Sequence, residues 1–105
     1  MAWIHLCLAG LLEIVWALAM KKSQGFALFW PSVVTLAAMA ASFALLALAM
    51  RSLPLGTAYA VWTGIGALGA FVLGIAVLGE AATPGRLAGA ALILAGLVVM
   101  KLATP

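Results

Sequence analysis

Four apolar runs take up most of this 105-residue chain, and charged side chains fall almost entirely between them. A helix needs about 20 residues to cross the hydrocarbon core of a bilayer, so four such runs leave room for little besides turns. The runs predict helices over about residues 2–20, 31–50, 55–78 and 85–101. Their breaks are Lys21-Lys22-Ser23-Gln24-Gly25, Arg51-Ser52-Leu53-Pro54 and Gly79-Glu80-Ala81-Ala82-Thr83-Pro84. Pro31 suits a first helical turn, where its missing N–H is not needed, and Thr83 suits an N-cap with Pro84 at N1. The last run, about 16 residues to Met100, is short for a span and is expected to borrow Lys101 and its neighbours as interfacial anchors. The expected fold is an all-α integral membrane protein, with residues 1–105 forming one four-helix transmembrane domain.

Composition excludes several classes. The chain is 69% hydrophobic and 7% charged with a mean hydropathy of +1.35, against about 45–50% and 25% for soluble domains. A soluble enzyme or a separate nucleotide-binding domain does not fit. Cys7 is the only cysteine and His5 the only histidine, so neither a disulfide nor a metal site is expected, and no cofactor is implied. Cys7 reads as a small core residue and His5 as interfacial or packed. The pI of about 9.6 comes from few, scattered basic residues, which does not suggest nucleic acid. The first run lacks the basic start of a signal peptide and is interrupted by Glu13; it is expected to be a retained helix.

With both ends on one side of the membrane, Arg51 and Lys101 share that side, while Lys21, Lys22 and Arg86 lie on the other. Orientation follows Lys/Arg excess near span ends, so this near-balance lets the chain insert either way. The competing reading is one orientation set by Lys21-Lys22.

Glu13 is the only acid inside a predicted span. A charge at mid-bilayer costs about 2.5–3.5 kcal/mol on insertion scales, so this side chain must face protein or water. The bland reading is a neutral carboxyl tying helices together, a task that Ser or Thr performs at lower cost. The functional reading is a group that takes either a proton or a cation. Such competition is the minimum requirement for antiport, because each ligand displaces the other.

Gly10, Glu13, Trp16 and Ala17 share one helical face. The second helix offers Ser42, with Thr35 one heptad earlier. The third offers Tyr59 and Trp62 at i, i+3, then the small-residue face Gly66, Ala70 and Gly74. Trp3 and Trp30 read as interfacial belt residues, whereas Trp16 and Trp62 lie deeper, where packing and a π-rich cation lining both remain open. Gly64 and Gly66 are close-packing sites or a hinge. Gly85, Gly89 and Gly96 on the fourth helix find no obvious partner within one chain and suggest the seam of a homodimer. Two copies inserted in opposite orientations would reproduce an inverted-repeat transporter.

The segments Gly10-Leu11-Leu12-Glu13-Ile14-Val15-Trp16-Ala17, then Lys21, then Pro54-Leu55-Gly56-Thr57-Ala58-Tyr59-Ala60-Val61-Trp62-Thr63-Gly64-Ile65-Gly66-Ala67 resemble the small multidrug resistance family, and Trp16-Ala17 with Lys21 and Gly10 resembles its guanidinium-exporter branch. The resemblance implies an antiparallel, dual-topology homodimer in the bacterial inner membrane that exports guanidinium and small substituted guanidinium ions in exchange for protons. By the same resemblance Glu13 binds proton and substrate, Ser42 and Trp16 hydrogen-bond its carboxylate, Tyr59 and Trp62 line the cavity and help switch its access, and the fourth helices make the main dimer contact. Two alternatives stay open: export of lipophilic quaternary ammonium cations by the same machinery, and a non-transporting accessory subunit that pairs with a larger membrane protein through its Gly faces.

Overall fold

The computed structural model describes residues 1–104. Four helices follow one another, α1 (Ala2–Lys22), α2 (Phe29–Ala49), α3 (Leu55–Ala76) and α4 (Pro84–Ala103), each long and apolar enough to cross a membrane. Helical backbone is what lipid demands, since every N–H and C=O must be bonded within the segment. The expected boundaries shift at several ends. α1 continues through Lys21 and Lys22, whose charges face the negative end of the helix dipole. α2 begins ahead of Pro31, and α3 stops at Ala76 rather than Leu78. The last helix gains its length as expected by taking in Lys101 and its neighbours: α4 has 20 residues, because Pro84 starts it and the chain stays helical beyond Lys101.

Local chemistry explains the turns. The Ser23 hydroxyl donates to the Met20 carbonyl (2.6 Å) and accepts from Phe26 N–H (3.0 Å), closing α1. Gln24, Gly25 and Phe26 then run through left-handed backbone, which reverses the chain tightly toward α2. Thr83 caps α4 as expected, its hydroxyl accepting from Arg86 N–H at 3.2 Å.

α1 lies between α2 and α3, whereas the backbone of α4 runs beside α3 alone. The result is a flat slab measuring 42 × 34 × 16 Å. Its core gathers toward one end, where Leu6 and Ala9 of α1 meet Leu46 and Ala49 of α2, Leu53, and Ala58, Val61 and Trp62 of α3. No α4 residue is buried among those described. Cys7 is exposed, which corrects the expectation that it fills the core: it falls on the face of α1 turned away from its neighbours. Trp30 stands 72% exposed, while the Trp3 ring lies under the Lys101 ammonium at 4.6 Å and so joins α1 to the end of α4.

The α1–α3 seam works by glycines. Ile65 presses on Gly10, where an added Cβ would stand 2.6 Å from Ile65 Cγ2. Ile14 fills the space over Gly69 in the same way. Gly10→Ala is expected to destabilise the protein by about 1–3 kcal/mol through overpacking. Adding Ile65→Ala should cost less than the two single changes summed, because it empties the contested space. Thermal unfolding in detergent of the two single variants and the double variant checks both statements.

Candidate functional site

Glu13 lies midway along α1, and α3 provides its seat. A Cβ on Gly66 would overlap the Glu13 carboxyl, so the missing side chain is the space the acid occupies. Glu13 Oε1 is buried without a hydrogen-bond partner. One turn on, Trp16 Nε1 is likewise buried and unpartnered. A site with an unfilled acceptor and an unfilled donor on one helix face is unusual, since buried polar groups are nearly always paired. The Glu13 oxygen can accept from a proton-bearing or N–H-rich guest, while the Trp16 N–H, a donor only, has capacity left for an acceptor such as a carboxylate.

Ser42 does not complete this pair. Its hydroxyl donates to the Ala9 carbonyl at 2.7 Å and accepts from the Trp62 indole N–H at 3.0 Å. The expected bonds from Ser42 and Trp16 to the Glu13 carboxylate are therefore absent in this structure, Ser42 being engaged by an α1 carbonyl and an α3 donor. Thr35 is also satisfied locally, donating to the Pro31 carbonyl at 2.7 Å. Trp62 is 7% exposed and serves packing and hydrogen bonding within the chain, while Tyr59 is 54% exposed. Gly10 is buried, with the Ile65 side chain lying over it.

Phe43 is the residue that sequence reasoning missed. Its ring meets Trp16 edge-on at 6.4 Å and Trp62 at 5.7 Å, and Trp62 meets Tyr59 at 5.5 Å. An aromatic chain thus runs from the Glu13 face of α1, through α2, to the outward-facing phenol of Tyr59 on α3. The only sequence hint was that Phe43 follows Ser42.

The glycines divide by neighbour. Gly64 receives Leu97 of α4, whose Cδ1 would stand 2.8 Å from an added Cβ, while Gly66 receives Glu13 of α1. Both lie within an unbroken α3, so each acts here as a contact site. A Cβ on Gly85, Gly89 or Gly96 would meet nothing within 4 Å. Among the described residues no group of His, Cys, Asp and Glu is placed to hold a metal ion.

The family profile described as Small Multidrug Resistance protein matches residues 1–93. Similar proteins include a guanidinium exporter of Yersinia pseudotuberculosis serotype I (strain IP32953), 60% identical over 104 residues that cover 99% of this chain and 100% of the relative. A guanidinium exporter of Escherichia coli (strain K12) is 60% identical with 99% of each chain covered. A guanidinium exporter of Citrobacter freundii is 57% identical, again with 99% of each covered.

Ser42→Ala leaves the Trp62 indole N–H without a partner and removes the second bond to the Ala9 carbonyl, which the α1 helix continues to bond. The expected loss is about 1–3 kcal/mol of stability, the cost of unmade buried bonds. It should come with a changed near-ultraviolet signal from the Trp62–Phe43 pair, and thermal melts with near-ultraviolet circular dichroism check the two together.

Proposed function

Because this chain belongs to the Small Multidrug Resistance family, we propose that it exports guanidinium and small substituted guanidinium ions from bacteria in exchange for protons, with Glu13 as the group that binds both. The single observation that carries the proposal is the buried Glu13 oxygen, an acceptor without a partner in the middle of a membrane-spanning helix. Guanidinium is planar, always charged near neutral pH, and presents paired N–H donors to a carboxylate. A proton satisfies the same oxygen by a different bond, so the two ligands exclude each other.

The route is as follows. Deprotonated Glu13 takes the cation, and the exposed Tyr59 ring, held by its edge-on contact with Trp62, offers an aromatic face to it at the surface. Protonation from the other side neutralises the carboxyl and releases the cation. A cytoplasm negative inside retains a cation by about 2.3 kcal/mol per 100 mV, so export needs a driving ion, and returning protons supply it. Gly64 and Gly66 would be the hinge of access switching.

We further assign the working unit as an antiparallel, dual-topology homodimer in the inner membrane. Support comes from the slab shape, from α4 having no buried residue, and from the open space beside Gly85, Gly89 and Gly96. A slab this thin leaves Tyr59 facing outward, and a second copy would close the cavity over it. The near-equal Lys/Arg content of the two ends fits insertion in both orientations.

In proteoliposomes carrying a pH gradient, guanidinium is expected to drive proton flux, and Glu13→Gln is expected to lower that flux to the protein-free level. A bulky lipophilic cation should be moved poorly if at all, and transport of that cation alone would favour the multidrug reading. Undiminished flux with Glu13→Gln overturns the assignment of Glu13.

A further inference from the structure

A cleft of about 320 Å³ lies between α1 and α3 at the Lys21 end of the slab. Its inner walls, Ala17 and Ala70, stand one helical turn beyond Glu13 and Gly66. Glu80 lies at its mouth. Left-handed Gly79 turns the chain back after α3, Glu80 N–H donates to the Gly74 carbonyl at 2.9 Å, and the Glu80 carboxyl rests where a Cβ on Gly74 would be. The fold thus presses one carboxylate against the C-terminal end of α3, where the helix dipole also favours a cation.

That place is already filled by a guanidinium. Arg86 approaches Glu80 at 3.6 Å, donates to the Ala81 carbonyl, and lies over the Phe71 ring at 5.3 Å from its centroid. Carboxylate, carbonyl and aromatic face are the three partners a planar, N–H-rich cation seeks. Both charged side chains keep about two-fifths of their surface free, 41% and 42%, so the pair is held weakly enough to open.

We propose that Glu80, the Ala81 carbonyl and the Phe71 ring form an outer guanidinium site at the mouth of the α1–α3 cleft, and that the Arg86 guanidinium is a built-in latch which an arriving guanidinium ion displaces. The proposal rests on guanidinium being the substrate. With Arg86 neutralising Glu80, Lys21 leaves the mouth net positive, which disfavours an arriving cation. Once a guanidinium ion takes Arg86's place, it stands at a cleft whose inner walls, Ala17 and Ala70, lie one helical turn from Glu13 and Gly66, and passage onward would need the helices to part there. In an antiparallel pair each membrane surface carries one such site.

The test uses the full chain with the central acid removed, so that only the outer site reports. Guanidinium binding is measured by calorimetry on Glu13→Gln, on Glu13→Gln with Arg86→Ala, and on that pair with Glu80→Gln added. The latch-free variant is expected to bind guanidinium about tenfold more tightly than Glu13→Gln alone, a difference of one charge-assisted contact. The added Glu80→Gln should abolish this binding, and tetramethylammonium, which has no N–H, should not compete. Arg86→Lys, which keeps the charge but not the planar fork, gives a second variant and is expected to fall between. Equal binding with and without Glu80 overturns the outer site. In liposomes with Glu13 intact, Glu80→Gln is expected to raise the guanidinium KM several-fold with kcat retained. Wild-type liposomes that move no guanidinium sink the functional reading; wild-type flux with an unchanged KM in Glu80→Gln sinks the outer site alone.

Discussion

A carboxyl group carried into the interior of a bilayer must be given a place by the protein, because lipid offers it none and its charged form costs several kcal/mol there. In this chain the place is the absent side chain of Gly66. The requirement reaches outward from that contact. α3 must come close enough to α1 for Glu13 to lie on it, which calls for glycine at positions 10 and 69 as well, with Ile65 and Ile14 filling what the glycines leave. The seam is therefore tight where it holds the acid and depends on a few methyl-sized spaces. In lipid, where helices gain nothing from hiding apolar surface from water, such close packing is a principal source of helix–helix attraction.

The seat holds the Glu13 carboxyl in place but gives its Oε1 no hydrogen-bond partner. Ser42, the nearest polar candidate by sequence, is committed to Ala9 and Trp62, and that commitment fixes the indole that anchors the aromatic chain. Stability and ligand capacity are thus divided between neighbouring polar groups. The satisfied Ser42–Trp62–Ala9 cluster rigidifies the end of the bundle where the core is thickest, while Glu13 and Trp16 keep unfilled bonds one layer deeper. Unfilled buried bonds are costly, and a protein retains them where a ligand fills them.

The architecture was legible from residues alone, because span length and charge placement are one-dimensional properties. The placement of Glu13 within a span was legible for the same reason, Glu13 being an acid where acids are expensive. Helix ends were read less well: α4 stays helical past Lys101, since a lysine at a membrane boundary ends the apolar run without ending the helix. Partners across helices were beyond reach. Sequence spacing placed Ser42 and Tyr59 near the site but could not tell that Ser42's hydroxyl bridges α1 and α3, that Ile65 fills the space over Gly10, or that Phe43 joins two tryptophans. Those facts depend on how helices rotate about their axes, which a chain this uniformly apolar hardly encodes in its pattern. Glu80 read as an ordinary turn residue because its neighbours Gly74, Phe71 and Arg86 converge only after the chain reverses at Gly79.

If Glu80 and Glu13 hold the same cation as proposed, they would hold it with different strength, while the returning protons set the direction of net movement. Opposite charges 4 Å apart attract by about 1 kcal/mol in water and about 4 kcal/mol at the effective dielectric of a protein surface. Glu80, open to water on one side, lies toward the first figure, and Glu13, between helices, toward the second or beyond. A guanidinium ion passing from mouth to centre therefore moves to stronger attraction, offset by the loss of its own hydration. The outer contact needs only to compete with Arg86, a partner of the same chemistry tethered six residues away, and so it discriminates by shape before the cation meets the bilayer interior. A cation without N–H donors has nothing to exchange for the bonds Arg86 makes to Glu80 and to the Ala81 carbonyl, and it leaves the latch closed.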